Sequence, residues 1–478
     1  MNQPETASVI SSSAEVSSAE YFAQRQLKQG TVGWLLLIGL GVAYVISGDF
    51  AGWNFGIAQG GWGGMFIATA LAALMYLCLC LSMSEMSTMM PTAGGGYSFA
   101  RAAFGPFGGY LTGTAILIEY AIAPAAIAVF IGGYCESLFG INGWMIYLAC
   151  YAIFMGIHLK GAGEALKIMF AITLVAAVAL VVFIGAMIPH FNAQNLFDIP
   201  VSTGVGTSLF LPHGYLGIWA AVPFAIWFFL AVEGVPLAAE EAKDPAKSLP
   251  RGLIGAMLIL TAFAMLILFL GAGAAGASTL QNSGAPLVDA LVKVYGTNTW
   301  LATFVNFVGI AGLIASFFSI IYAYSRQIFA LSRAGYLPTS LSLTNKNKAP
   351  YLAIIIPGII GFLLSLTKEG DSLILIAVFG ATISYVLILL SHIKLRLSKP
   401  NMPRPYKTPG GIITSSIALV LAVAAVVAGF VVNPKVWFIA AGIYVVFIAY
   451  FLFYSRYHLV KGTPEEEFAN IKAAEQEL

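Results

Sequence analysis

Twelve apolar runs, each long enough to cross a bilayer, fix what this chain can become. They fall at about 30–57, 62–87, 106–136, 141–158, 165–189, 216–239, 252–276, 299–331, 351–367, 371–395, 411–432 and 435–456. A helix of roughly 20 apolar residues spans the hydrocarbon core and satisfies its own backbone there. Only 9% of the 478 residues are charged and 59% are hydrophobic, where soluble domains run at about 25% charged. An ordinary soluble enzyme is excluded. The expected fold class is an all-α polytopic membrane protein of twelve transmembrane helices, embedded in lipid. A net charge of +2 offers nothing to a nucleic acid.

The bases orient these spans. If both termini are cytoplasmic, 20 of the 23 lysines and arginines fall on the inner side, and only Lys293, Lys368 and Lys435 fall outside. That asymmetry is the positive-inside rule, and it predicts a cell (inner) membrane protein with both ends in the cytoplasm. Residues 1–29 are polar and lack the apolar core and cleavage site of a secretory signal, so the first span is expected to direct insertion itself. The end of the chain, with Glu465, Glu466 and Glu467, reads as a solvated tail. Cys78, Cys80, Cys135 and Cys150 all lie in apolar spans with no Cys/His cluster beside them, which reads as packing; no metal site and no cofactor is expected.

Two of the runs carry an acid among helix breakers. The first is Ser47-Gly48-Asp49-Phe50-Ala51-Gly52-Trp53-Asn54, and the second is Phe229-Leu230-Ala231-Val232-Glu233-Gly234-Val235-Pro236. A bare carboxylate at that depth costs about 2.5–3.5 kcal/mol on insertion scales. Paired, interrupted hydrophobic segments in the two halves of a chain point to a transporter's binding site. Glu119 lies well inside the third span, and no lysine or arginine sits mid-span to neutralise the three acids; Lys167 and Arg326 lie nearer the inner ends, where long side chains snorkel. An interior with surplus carboxylate suits a cation: an organic ammonium, a proton or a metal ion. Each acid has a plain alternative, as a structural group bonded to freed backbone or to a neighbouring helix.

Aromatic residues cluster at the same levels, with Tyr44, Phe50, Trp53 and Phe55 in the first span, Tyr120 in the third, and Trp227, Phe228 and Phe229 in the sixth. Aromatic faces attract desolvated ammonium groups by about 2 kcal/mol or more. Packing explains most membrane aromatics, so only Trp53 and Trp227 are assigned to the site. Ser316 and Ser319, three apart in the eighth span, could offer oxygens to a small cation, although such hydroxyls more often bond a helix backbone. There is no phosphate loop, no His-Glu-x-x-His and no Gly-x-Ser-x-Gly, and the five histidines are scattered. Secondary transport remains, and the chain is not expected to be an enzyme. A membrane amine sensor is the different-class alternative, disfavoured because only 29 residues precede the first span and about 22 follow the last.

Several motifs together carry a resemblance. Glu85 is followed by Pro91 and Ala93-Gly94-Gly95-Gly96-Tyr97. Trp227 to Glu233 is followed by Ala239-Glu240-Glu241-Ala242-Lys243-Asp244-Pro245. Arg333-Ala334-Gly335-Tyr336-Leu337-Pro338 and Arg404-Pro405-Tyr406-Lys407-Thr408-Pro409-Gly410 come later. These segments resemble the amino acid–polyamine–organocation transporter superfamily over most of the chain. The resemblance implies two inverted five-helix repeats, discontinuous first and sixth helices, and alternating access. It divides the chain into a segment 1–29, a ten-helix core 30–395, two further helices 396–456 and a tail 457–478.

Where amino-acid-transporting relatives carry Gly-Ser-Gly or Gly-x-Gly, whose bare amides hold a substrate carboxylate, this chain has Gly52-Trp53-Asn54. An indole and an amide side chain would fill that subsite, and Asp49 stands just upstream for an ammonium. Tyr44–Gly61 looks like the bacterial ethanolamine permease branch. The resemblance therefore implies import of a small amine, with Asp49, Trp53, Asn54, Glu119, Tyr120, Trp227, Ala231 and Glu233 as substrate contacts. Asp49 is expected to supply the counter-charge, alone or with Glu119 or Glu233. Asn54 or free backbone groups would read the substrate hydroxyl, and Glu119 or Glu233 would carry a coupling proton. Sodium coupling, potential-driven uptake, and a permease for α-amino acids or small polyamines stay open.

Overall fold

A computed structural model describes residues 30–460 other than Thr31 and Asn298, and of 162–167 the backbone alone. The readings for residues 1–29, for the chain beyond 460 and for the Lys167 side chain lie outside the described residues. Among them, nine helices are long and apolar enough to cross a membrane, and three shorter apolar helices, Trp34–Val45, Trp144–Leu159 and Tyr351–Ser365, complete twelve spans.

The two halves of the core match element by element. The third and eighth spans lie on long helices, Gly96–Phe139 and Trp300–Arg333, of 44 and 34 residues. The fourth and ninth are short, at 16 and 15 residues. The first and sixth are both interrupted: Trp34–Val45, Ser47–Phe50 and the start of Asn54–Met89 form the one, Gly214–Trp227 and the 3-10 stretch Val232–Glu241 the other. This is the fold of two inverted five-helix repeats with discontinuous first and sixth helices. Within Asn54–Met89 the first span passes into the second at Gly61, where φ is 70°.

Burial separates core from periphery. The most apolar stretch of Gly96–Phe139 is 89% buried, whereas those of Ile412–Val432 and of the last span are 33% and 22% buried. The eleventh and twelfth spans therefore flank the bundle and turn side chains such as Val420, Val446 and Phe453 outward. At the basic end the chain ties its two broken helices together: Val32 donates to the Glu241 carbonyl at 2.9 Å, and Lys243 donates to that of Val32 at 3.0 Å.

Candidate functional site

The first span is broken twice, for two reasons. Ser47 N–H would ordinarily bond the carbonyl of Ala43, four residues back. It donates instead to the Ser316 hydroxyl at 2.9 Å, and that hydroxyl donates to the Ala43 carbonyl at 2.7 Å. A side chain inserted into the ladder in this way bends a helix. The second break follows at Ala51 and Gly52: Ala51 is extended, and Gly52 has φ 98°, a conformation that favours glycine. Space demands glycine there too, since a Cβ would lie 2.5 Å from Trp227 Nε1.

Side chains satisfy the polar groups that this break frees. Tyr134 hydroxyl donates to the Phe50 carbonyl at 2.8 Å, and Trp227 Nε1 donates to that of Ala51 at 2.9 Å. Gly52 N–H donates to Asn54 Oδ1 at 3.2 Å. Asn54 Nδ2 donates to the carbonyls of Leu280 and Ser283, both at 2.9 Å, in the loop after the seventh span. All of Asn54's polar atoms are engaged by the protein, so the structure gives it a structural bridge where the sequence suggested a reader of a substrate hydroxyl. Ser319 donates to the Ala315 carbonyl at 2.5 Å, so the hydroxyls of Ser316 and Ser319 both donate to helix backbones.

The sixth span breaks at Phe228–Ala231. Ala231 adopts a left-handed conformation, φ 77°, which costs an alanine about 1–2 kcal/mol relative to the right-handed form. Strain of this kind collects at functional sites. Trp53 stacks on Phe228 at 5.6 Å, and the Trp53 indole nitrogen is buried without a protein partner. Trp53 thus lies against the break of the sixth span, and Trp227 against that of the first.

The acids do not form one group. Asp49 sits on the isolated turn Ser47–Phe50, fully buried, with neither oxygen hydrogen-bonded to protein. Ser47 meets Ser316, Gly48 lies against the Trp227 carbonyl, and Phe50 packs on Gly309 and Gly312. A helical advance of about 100° per residue then puts Asp49 on the side turned away from the eighth span.

Glu119 and Glu233 meet elsewhere. A shared cluster of phenols brings them to the same level of the bundle. Tyr120 donates to Glu233 at 3.1 Å, Tyr385 points its hydroxyl at Glu119 at 3.5 Å, and Tyr76 and Tyr385 share a 2.8 Å bond. Tyr44, with its hydroxyl unpartnered, packs beside Gly234 next to Tyr120. Gly380 lets the tenth span touch the third at this level, since a Cβ there would lie 2.8 Å from Glu119 N. Five spans therefore converge on two carboxyl groups that each keep one unpartnered oxygen. Tyr76 and Tyr385 went unread in the sequence. Their signal was a hydroxyl deep in an apolar run, the same signal that drew notice to the acids.

Among the described residues no base is paired with these acids. Arg326 is held by Glu241 at 2.9 Å, and Glu241 also takes the Tyr322 hydroxyl. Arg333 pairs with Glu240 at 2.7 Å. Glu85 binds Arg396 and Arg404 and accepts from Thr408 N–H at 2.7 Å. Among the described residues no three His, Cys, Asp or Glu side chains converge as metal ligands.

The family model described as amino acid permease matches residues 3–453. An uncharacterised transporter of Rhizobium meliloti is 28% identical over 80% of this chain and 83% of its own length. The branched-chain amino acid permease BcaP of Bacillus subtilis is 27% identical over 80% and 84% of the two chains, and the aromatic amino acid transport protein AroP of Escherichia coli is 25% identical over 78% and 83%. These are transporters and not enzymes. With twelve apolar spans, two broken helices and a buried polar centre between them, the chain belongs to the amino acid permease family.

Proposed function

We propose that this permease imports a small organic amine lacking a carboxylate, with ethanolamine the leading candidate, by alternating access in symport with a proton. The observation that carries the reading is a mismatch of charge at the breaks. Freed helix-end amides are natural anion sites, yet Gly52 N–H is already capped by Asn54 Oδ1. Meanwhile Asp49, Glu119 and Glu233 are buried, each with at least one unpartnered oxygen, and among the described residues none is paired with a base. These acids favour an ammonium group, and the Gly52 amide is not free to take a carboxylate. Glu119 and Glu233 hold the ammonium among Tyr44, Tyr120 and Tyr385, Trp53 and Trp227 close over it, and the free Tyr44 hydroxyl meets the substrate hydroxyl. The basic end of the bundle faces the cytoplasm, so import runs toward it.

The second reading is a permease for α-amino acids, supported by the names of the relatives from Bacillus subtilis and Escherichia coli. Competition separates the two in proteoliposomes. Unlabelled ethanolamine should suppress uptake of labelled ethanolamine, while alanine, leucine and arginine should not. Uptake blocked by leucine, or absent altogether, removes the amine reading. Imposing pH and sodium gradients separately identifies the driving ion, and a sodium-driven, pH-indifferent signal removes the proton.

A further inference from the structure

Away from the buried acids, the fourth, fifth and eighth spans leave a gap between them. A cavity of about 60 Å³ lies among Phe154 and Ile157 of the fourth, Ile168 and Met169 of the fifth, and Ile314 and Phe318 of the eighth. Its lining is wholly apolar, and an apolar cavity stays dry. Met169 is buried at its floor, whereas Ile168 is 61% exposed at its mouth. Leu174, Val175 and Val178 of the same span are also turned outward, so the mouth opens on the lipid-facing side of the bundle.

The eighth span fixes the depth of this crevice. Phe318 lies about 27 Å along that helix from Trp300 at its outer end, taking about 1.5 Å per residue, and the hydrocarbon core is about 30 Å thick. The crevice therefore sits just inside the inner headgroup boundary. The fourth span gives the same level: His158 Nε2 meets the Phe318 carbonyl at 2.9 Å, and its ring stacks on that of Phe318 at 4.0 Å. That span ends at the next residue, Leu159.

Bases rim the crevice on its cytoplasmic side. Lys160 follows Ile157 by about one helical turn and so lies on the same face. The loop before the ninth span is fastened beside it, because Asn345 and Asn347 both donate from Nδ2 to the Leu159 carbonyl, at 2.8 and 3.3 Å. Lys346 and Lys348 alternate with these asparagines, and all three lysines are exposed. Residues 159–167 and 338–350 together hold four lysines against one acid, Glu164; the side chains of Glu164 and Lys167 lie outside the described residues.

A dry slot on the lipid side and a basic rim at the headgroup level select one kind of occupant. A free phosphate uses the rim and not the slot, and a neutral lipid uses the slot and not the rim. We infer that this crevice binds an anionic phospholipid of the inner leaflet. Its phosphate lies among Lys160, Lys346 and Lys348, where each base adds attraction. One acyl chain lies between the three spans, where its methylenes gain dispersion contacts on three sides. The inference does not depend on which substrate the permease carries.

The test is native mass spectrometry of the purified full-length protein with added phosphatidylglycerol or phosphatidylcholine. The wild type should retain the anionic lipid about a hundred-fold better, the product of about five-fold for each lysine. Lys160→Gln, Lys346→Gln and Lys348→Gln together should erase that preference. Lys247→Gln, Lys394→Gln and Lys407→Gln, elsewhere at the basic end, should leave it intact. Ile172→Trp, which fills the slot from the fifth span, should expel the lipid with all three lysines in place. Glycerol 3-phosphate, which carries the charge without the chains, should not compete. Equal retention of the two lipids by the wild type overturns the inference. Equal losses from the two lysine sets overturn it too, because the attraction would then belong to the whole basic end. So does an Ile172→Trp protein that melts like the wild type and still holds the lipid, or displacement by glycerol 3-phosphate. Should Ile172→Trp not fold, Ile157→Trp fills the same slot from the fourth span and is read in the same way.

Discussion

Glu85 and Glu241, at the basic end of the bundle, are buried as deeply as Asp49, Glu119 and Glu233 at its centre. What separates the two regions is partnership. Glu85 holds two arginines, a backbone N–H and the edge of His392 at 3.4 Å; Glu241 holds Arg326 and Tyr322. Among the described residues the central acids hold only phenols or nothing. A buried charge must be answered by something. At the basic end the protein supplies the answer itself, and those acids fasten helices. At the centre no such base is paired with the acids among the described residues, which is why the proposed function assigns the Glu119–Glu233 pair to a ligand.

This contrast is open to mutation. The largest effect is expected at Glu85: removing it by Glu85→Ala strands Arg396 and Arg404, and breaking a buried pair costs about 3–5 kcal/mol. Melting of the purified protein should fall sharply or expression should fail, and a wild-type melt would break the comparison. Glu233→Gln sharpens it from the other side. Ethanolamine uptake should be lost while melting stays at or above the wild-type value, because no cation is stranded. A loss of stability like that of Glu85→Ala would mean that the central acids are fasteners too.

Smaller changes test the edges of the two regions. Asn54→Ala removes the cap on Gly52 and the two bonds to the loop, a loss of about 1–3 kcal/mol for the buried groups left unpaired. It should also let alanine begin to compete with ethanolamine, read as a new inhibition in the uptake assay. Asn54→Asp keeps the cap oxygen and should not admit alanine. Tyr385→Phe should be mildest, weakening half-saturation by ten-fold or less, as befits about 1 kcal/mol from one hydrogen bond.

Much of this was legible in the chain, and the limits have physical causes. Hydropathy and the distribution of bases follow local composition, so the twelve spans and their order could be read directly. The breaks were legible because glycine and proline act on their own neighbourhood. Partnerships were not. Asn54 looks like a free amide until Leu280 and Ser283, more than 220 positions on, are found on its nitrogen. Ser316 looks like a cation ligand until its hydroxyl is seen inside the ladder of the first span. Asp49, Glu119 and Glu233 read as one anionic pocket because depth can be estimated from sequence while azimuth around distant helices cannot. Tyr76 and Tyr385 drew no notice for the same reason: each matters only through the other and through Glu119.

The most direct test of the central claim is a structure with ethanolamine bound. The account predicts the ammonium nitrogen within hydrogen-bonding distance of the Glu119 and Glu233 carboxyl groups, with Gly52 N–H still held by Asn54. An α-amino acid seated there with its carboxylate on the Gly52 amide and Asn54 swung aside would contradict it.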